Sequence, residues 1–563
     1  MKKKEQKNIV TESKVAVPID KPVFWGALLV ILLVCLTCII LPTQANKIAS
    51  LARNWVLNTW DWFFLIFGLA TLIISIVIAL SKFGNIRLGG KDAKPDYKFS
   101  SWLAMIFFSA IGSSSILWAV CEPMAYLQSP PFGYEPFSPQ AYNISIAYGM
   151  FHWGPIAWAF YALPSLPVAY YFLVKKRKNL KLSQVCGDLI GEKHANGVLG
   201  KIIDIFTVFA TFGGNGPGLG FGVPLLATLI CAVFGFTRNQ WLDMAVLIIW
   251  AAIFSISVYR GLNKGIKILS DINMYLVLLL LAFVFIVSDP LYILRSSVES
   301  IGTLASNFIH MSTYSNVIGG GTFARDWTVF YWAWWVALTP FMAIFVARIS
   351  KGRTIRELLL GIIGAGSIGT GSLFMVLGSY TVKIQSSGVL DVAKIYSEQG
   401  TAAAVMETIM TLPFAKIVAV ILILVYFIFM ATCIDSGAFA MGCIASKEMT
   451  DDQQPTKWNR FTWAIAIAML GVAILRLGGG LEAIQTSVIV VGLPAAFLTI
   501  LLYCVLFKWL KKDCRKLKEE ALLVIDIDKD GNSHIIEGTD ENCKGKKENT
   551  KSSDAIIIPE SDS

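Results

Sequence analysis

Asp326-Trp327-Thr328-Val329-Phe330-Tyr331-Trp332-Ala333-Trp334-Trp335 places six aromatic residues in ten at the start of a long apolar run. At 100° per residue, Phe330, Trp334, Trp327, Tyr331 and Trp335 fall in an arc of about 140°, so one side of a helix is paved with π faces. Such a surface suits a cation that cannot donate hydrogen bonds. A quaternary ammonium offers the rings diffuse positive charge and methyl groups together. Packing alone also produces aromatic helices, so where this helix sits matters.

The surrounding sequence points to a membrane. The chain has 563 residues, 55% hydrophobic and 15% charged, with a mean hydropathy of +0.62, too apolar for a soluble protein of this size. Runs long enough to cross a bilayer recur at 23–40, 62–80, 102–127, 151–174, 205–234, 242–259, 272–287, 330–347, 358–377, 414–432, 461–477 and 486–507. The expectation is an all-α integral membrane protein of twelve transmembrane helices. Segments 81–100 and 173–201 carry five and seven Lys/Arg, whereas 127–145 carries none and 234–241 only Arg238. Both termini are therefore expected on the cytoplasmic side of a cell membrane. The first run follows Lys2, Lys3, Lys4 and Lys7 but lacks a small-residue cleavage site after Pro42, which reads as an uncleaved span.

The formal charge of +10 follows from basic cytoplasmic flanks and does not point to nucleic acid. Lys175 to Lys178 and the group Arg348, Lys351, Arg353 and Arg356 read as topology anchors facing membrane lipids. The ten cysteines are scattered without a CxxC or a Cys/His cluster, which reads as small core hydrophobes rather than a disulfide scaffold or a metal site. With four His and no nucleophile, metal cluster or acid/base pair in one place, nothing marks an enzyme.

Transport needs places inside the bilayer where backbone or small side chains face cargo. Ser109-Ala110-Ile111-Gly112-Ser113-Ser114-Ser115 interrupts the third run with six small residues, allowing either tight helix packing or local unwinding. In the fifth, Gly213-Gly214-Asn215-Gly216-Pro217-Gly218-Leu219-Gly220-Phe221-Gly222 makes continuous helix costly, which reads as a kinked span lining a route. It lacks the Lys-Ser/Thr of a phosphate-binding loop. The fourth opens with Phe151-His152-Trp153-Gly154-Pro155, and Trp153, Tyr161 and Trp158 lie at about 0°, 80° and 140° on one helical wheel. They form a second aromatic side able to close a cage with Trp334 and Trp335. A membrane-interface belt is the alternative for Trp153, and a buried hydrogen-bonded residue the bland account of His152. Glu122 and Asp271 lie near span ends, where solvent or backbone N–H groups can satisfy them. Asp435 is either an ionisable group at membrane depth or, if the tenth helix ends near Thr432, a loop residue.

These residues resemble the betaine/carnitine/choline transporters, and among them the carnitine/gamma-butyrobetaine exchangers. The resemblance covers residues 10–510 and is carried by 326–335, by Phe151-His152-Trp153-Gly154-Pro155, Gly191-Glu192-Lys193-His194-Ala195, Ala347-Arg348-Ile349-Ser350-Lys351-Gly352-Arg353-Thr354, and Gly478-Gly479-Gly480-Leu481 with Ile484-Gln485-Thr486. Ser129-Pro130-Pro131-Phe132-Gly133 favours the carnitine branch. The resemblance implies two five-helix inverted repeats in the third to twelfth helices and a homotrimer. The chain would divide into a cytoplasmic N-terminus (1–22), two N-terminal helices (23–100), a ten-helix transport core (101–507) and a charged cytoplasmic tail (508–563). It also implies a central cage of Trp153, Trp158, Tyr161, Trp334 and Trp335, with Tyr126 less securely aligned. Trp327 and Tyr331 would form an outer site, with Phe330 beside them on the same helix.

The resemblance also frames coupling. Thr432 is followed by Cys433 where sodium-coupled members have Ser, and sulfur is a poor ligand for a hard cation. Ala110-Ile111-Gly112-Ser113-Ser114 replaces the Gly-x-Gly-x-Gly of betaine symporters. Met342 stands where exchangers place a Met in lieu of one sodium, which favours exchange of carnitine against gamma-butyrobetaine. Against this, Asn273 occupies the place of the exchangers' Arg, and Thr339-Pro340-Phe341 is unaltered. Sodium- or proton-coupled uptake of glycine betaine or choline therefore stays open. A quaternary-ammonium sensor would use the same cage without the glycine-rich span.

The tail carries Asp526-Ile527-Asp528-Lys529-Asp530-Gly531-Asn532-Ser533-His534-Ile535-Ile536-Glu537. Asp526, Asp528, Asp530, Asn532 and Glu537 meet the oxygen spacing of a calcium loop. The alternative is an acidic solvated segment, with disorder expected from about residue 538 onward.

Overall fold

The computed structural model describes residues 15–110, 114–178, 180–260, 263–449, 453–477, 481–521, 523–527 and 533–537. The chain is overwhelmingly helical. After a short strand β1 (Val15–Val17) come α1 (Lys21–Ile40) and α2 (Pro42–Leu80), then α3 (Phe99–Ala110), α4 (Ser114–Gln128), α5 (Pro139–His152) and α6 (Pro155–Ala169). Three short helices, α7 (Leu182–Val185), α8 (Gly187–Ile190) and α9 (Glu192–Asn196), lead into α10 (Val198–Gly214), α11 (Gly216–Phe234), α12 (Gln240–Arg260), α13 (Asn263–Val287) and α14 (Pro290–Thr313). Next are α15 (Phe330–Ile349), α16 (Ile355–Leu373), α17 (Ser379–Ser386), α18 (Val392–Gln399), α19 (Thr401–Met410) and α20 (Ala415–Ile444). Strand β2 (Gln453–Pro455), α21 (Lys457–Arg476) and α22 (Leu481–Ala521) complete the helical part.

Every apolar run read from the sequence coincides with a helix or a helix pair. Among the described residues ten helices are long and apolar enough to cross a membrane, and the bent pair α3/α4, at 61°, makes an eleventh. α12 contributes only a shorter apolar stretch, Gln240–Ser255. At 1.5 Å per residue the 39-residue α2 is about 58 Å long, twice the hydrocarbon core of a bilayer.

Three interruptions differ from continuous spans. The run at 151–174 is not one helix: α5 ends at His152, Trp153 is its C-cap, Gly154 adopts φ −96° and ψ −146°, and α6 starts at Pro155. Trp153 therefore lies outside the helix that carries Trp158 and Tyr161, and the helical-wheel angles do not relate them. The glycine-rich run does break, at Asn215 between α10 and α11, and its glycines mainly admit neighbours. A Cβ on Gly214 would fall 2.9 Å from Leu338 of α15, and one on Gly220 2.6 Å from Ile484 of α22. A π-helical turn (Ala324–Val329) precedes α15 and carries Trp327.

The tenth run extends past Thr432. α20 continues to Ile444, so Asp435 sits inside a helix, fully buried and hydrogen-bonded to Arg460 of α21 at 2.8 Å. α15 is the central element: its residues are buried almost throughout, and it packs along α6, α10 and α20. At one end of the bundle β1 pairs in parallel with β2, and Asp20 holds Lys181 and Lys201. Thr354 and Glu357 form a reciprocal capping box that starts α16.

Residues 504–563 form a separate unit. Within it Leu523–Ile527 (β3) and Ser533–Glu537 (β4) are an antiparallel hairpin in which Asp526 pairs with His534 and Glu537 with Leu523. A calcium loop of the expected spacing runs from a helix into a helix; here both flanks are strands. Asp526 and Glu537 stand three ladder positions apart, about 10 Å along the sheet. Asp528, Asp530 and Asn532 lie outside the described residues.

Candidate functional site

The aromatic residues converge where the α5/α6 break meets α15. Trp153 touches Trp335 edge-to-face at 4.9 Å between ring centroids, with Trp334 at 5.9 Å and Tyr331 at 5.7 Å. Trp334 and Trp335 stack at 4.9 Å, Phe330 stacks on Trp334 at 5.6 Å, and Tyr331 stacks on Trp335 at 5.6 Å. Tyr161 closes the group from α6, 6.0 Å from Trp335. The indoles are fixed by backbone: Trp335 Nε1 donates to His152 O at 3.0 Å and Trp334 Nε1 to Gly214 O at 3.3 Å. That second bond ties the cage to the carbonyl at the α10/α11 break, so the glycine run supplies an acceptor as well as space.

Trp158 is less central than the sequence implied. Its ring contacts Tyr161 at 5.8 Å but stacks on Phe107 at 5.5 Å and lines a separate apolar cavity with Met274 and Gly366. Trp332, on the opposite side of α15, packs against Phe151 and Phe160. Towards the start of α15, Trp327 stacks on Tyr331 at 6.4 Å and meets Tyr126 at 5.0 Å and Trp118 at 5.8 Å. The cage and the outer group are thus joined through Tyr331. A cation sits up to about 6 Å from each ring it faces. Rings on opposite sides of one ammonium must therefore stand farther apart than Trp153 and Trp335 do.

Glu122 departs from its expected place at a solvated span end. It is fully buried in α4, and its carboxylate accepts from Trp153 Nε1, Tyr331 Oη and Tyr126 Oη, the last at 2.9 Å. His152 is buried beside it, with Nδ1 2.8 Å from Tyr126 Oη and Nε2 3.0 Å from Thr328 Oγ1. The signal was present in Cys121-Glu122-Pro123, an ionisable group inside an apolar run. Its partners lie 4, 31 and 209 residues away, and no spacing rule reaches that far.

The coupling candidates occupy several places. Thr432 Oγ1 donates within its own helix, to Phe429 O at 2.7 Å. Cys433 Sγ donates to Asn215 Oδ1 at 3.4 Å, and Asn215 Nδ2 to Thr211 O at 2.7 Å. Ser109 of α3 and Ser436 of α20 share a hydrogen bond of 3.1 Å. Phe341 is buried against Phe345, Met342 is buried with its carbonyl accepting from Ser165, and Ile111 lies outside the described residues. Asn273 is fully buried in α13, its amide making no hydrogen bond among the described residues. Nor, among those residues, do three His, Cys, Asp or Glu side chains come together to hold a metal.

A likeness to the substrate-bound outward-open state of a Na+-coupled sialic acid symporter has a TM-score of 0.41 and 11% identity, over 73% of this chain and 79% of that one. At that score it carries no argument. The family profile of the betaine/carnitine/choline family transporter matches residues 22–515. With that match spanning nearly the whole helical part, and its aromatic rings gathered around the α5/α6 break, the chain belongs to the betaine/carnitine/choline transporter family, secondary transporters of quaternary ammonium substrates and not enzymes.

Proposed function

We propose that this protein carries a zwitterionic quaternary ammonium compound across the cell membrane, with exchange of carnitine against gamma-butyrobetaine as its leading activity. The observation that carries this reading is the contact of Trp153 with Trp334, Trp335 and Tyr331, which concentrates four π faces at one point deep in the bundle. Twelve spans, two inverted five-helix repeats, a homotrimer and cytoplasmic termini belong to the same reading. Rocking of one repeat against the other would expose the cage to each side in turn.

Exchange is favoured by Met342, buried on the cage helix α15 itself, and by Cys433 in place of a hydroxyl. A sodium- or proton-coupled uptake of glycine betaine or choline is the second reading. It is favoured by Asn273, which brings no fixed positive charge to α13.

The deciding experiment is uptake of labelled carnitine and glycine betaine into proteoliposomes, with sodium, pH gradient and internal substrate varied independently. Acceleration by internal carnitine or gamma-butyrobetaine without any gradient supports exchange. Accumulation into empty vesicles driven by sodium or protons supports coupled uptake. No saturable binding or transport of any quaternary amine by folded protein rejects both.

A further inference from the structure

Four fully buried side chains form one continuous hydrogen-bond chain: Glu122 Oε2 to Tyr126 Oη at 2.9 Å, Tyr126 Oη to His152 Nδ1 at 2.8 Å, and His152 Nε2 to Thr328 Oγ1 at 3.0 Å. The carboxylate end touches the cage, since Glu122 Oε1 accepts from both Trp153 and Tyr331. At the other end Thr328 is itself buried, in the π-helical turn that also carries Asp326, whose side chain is 43% exposed. Hydroxyls and a neutral imidazole can each point either way, so such a chain has two complete orientations.

In the first, Glu122 is ionised. Thr328 donates to Nε2, Nδ1–H donates to Tyr126, and Tyr126 donates to Glu122. In the second, Thr328 Oγ1 has accepted a proton from water and passed its own to Nε2, the Nδ1 proton has passed to Tyr126 Oη, and the Tyr126 proton has passed to Glu122. His152 ends neutral as its other tautomer, now donating to Thr328. One solvent proton has been gained and every intermediate group is restored.

Charge balance gives the switch a purpose. Among the described residues no Lys or Arg is paired with Glu122. The titratable groups facing it are Cys121 and Tyr126 on α4, His152 on α5, Tyr331 on α15 and Tyr396 on α18. An ionised Glu122 beside a net-neutral zwitterion is an unpaired buried charge, which is costly at membrane depth. Beside a monocation the same carboxylate is a counter-ion.

We propose that binding of a zwitterionic quaternary amine loads one proton onto Glu122 through Tyr126 and His152, so that substrate and proton are occluded together. The inference rests on the function proposed above. In exchange of one zwitterion for another the proton shuttles without net flux; in uptake into empty vesicles it is carried along.

The test is proton uptake by the purified full-length protein in weakly buffered detergent solution containing an indicator dye, with carnitine, glycine betaine or choline added. The expected result is proton uptake on saturable binding of either zwitterion, none with the monocation choline, and zwitterion affinity that weakens by up to about tenfold per pH unit on the alkaline side. Glu122→Gln, an isostere of the protonated acid, should show neither proton uptake nor pH dependence in whatever zwitterion binding it retains. Tyr126→Phe should slow the uptake in stopped flow. Saturable zwitterion binding without proton uptake by the wild-type protein overturns the inference and leaves the proposed function standing, as does undiminished uptake by Glu122→Gln. Absence of binding of any quaternary amine overturns both.

Discussion

The indole of Trp158 lies directly over the backbone of Gly366: a Cβ built on Gly366 would fall 2.1 Å from Trp158 Cδ2 and 2.4 Å from Cε2. The ring cannot swing clear, because Phe107 stacks on it and Nε1 reaches Thr370 Oγ1 at 3.4 Å. Thr370 also donates to Trp153 O at 2.6 Å, so α16 holds both sides of the α5/α6 break. Gly366→Ala is therefore expected to overpack the site, at about 1–3 kcal/mol. A lowered melting temperature of the purified protein, with weakened substrate binding, checks it. An unchanged melt and affinity would mean that α16 can withdraw from α6.

Trp335 meets Trp153, Trp334, Tyr331 and Tyr161, so its removal takes away a wall of the cage that four other rings touch. A cation–π contribution of about 1–2 kcal/mol predicts roughly 5–30-fold weaker substrate binding for Trp335→Ala. Trp332→Phe, on the side of α15 facing Phe151 and Phe160, should affect stability without that loss. Calorimetric binding on both variants at matched folded fraction separates them. Equal affinity losses would place the recognition elsewhere on the helix.

Asp435 and Arg460 are buried in one ion pair between α20 and α21, and the guanidinium also lies 5.7 Å from the Phe439 ring centroid. Removing one partner strands the other's charge away from water. Asp435→Asn is expected to destabilise by about 3–5 kcal/mol, while Asp435→Leu combined with Arg460→Met recovers much of it. Thermal unfolding of the single and double variants measures this directly. Equal losses in both would show that the pair itself, and not the orphaned charge, sets the stability.

Asp20 joins the N-terminal segment to the ends of the helices behind it. Its backbone N–H donates to Ala445 O at 2.8 Å, and its carboxylate holds Lys181 and Lys201. Burial opposes ionisation of Asp20, but the two ammonium groups outweigh it and hold the carboxyl below the usual carboxylate range. A lowered folded-state pKa contributes stability that is fully present above the unfolded value, about 4, and is lost as pH falls through the folded value. Protection of the Val15 to Val17 amides, relative to the intrinsic exchange rate at each pH, should accordingly stay high from neutral pH down to about pH 5 and fall below about pH 4. Asp20→Asn should be less protected than the wild type near neutral pH, with the difference closing as pH falls below about 4. Protection that fades near neutrality would exclude this ion cluster as the anchor.

The sequence by itself determined the membrane class, the position of the long apolar helices and the aromatic side of α15. Those properties are carried by composition and by the 3.6-residue period, which act between neighbours in the chain. It also marked the glycine-rich run at 213–222 as an interruption, because glycine and proline restrict or free the backbone on the spot, whereas it read Gly154 as part of one helix. Only the tertiary structure decided that Trp153 leaves its helix yet still meets Trp335, that Trp158 turns towards Phe107, that Glu122 is the acceptor at the cage, and that Asp435 belongs to Arg460. Each of those outcomes is a pairing across the bundle. Burial then selects partners that can satisfy a polar group away from water, and that choice depends on which helices pack together, not on how far apart their residues lie in the chain.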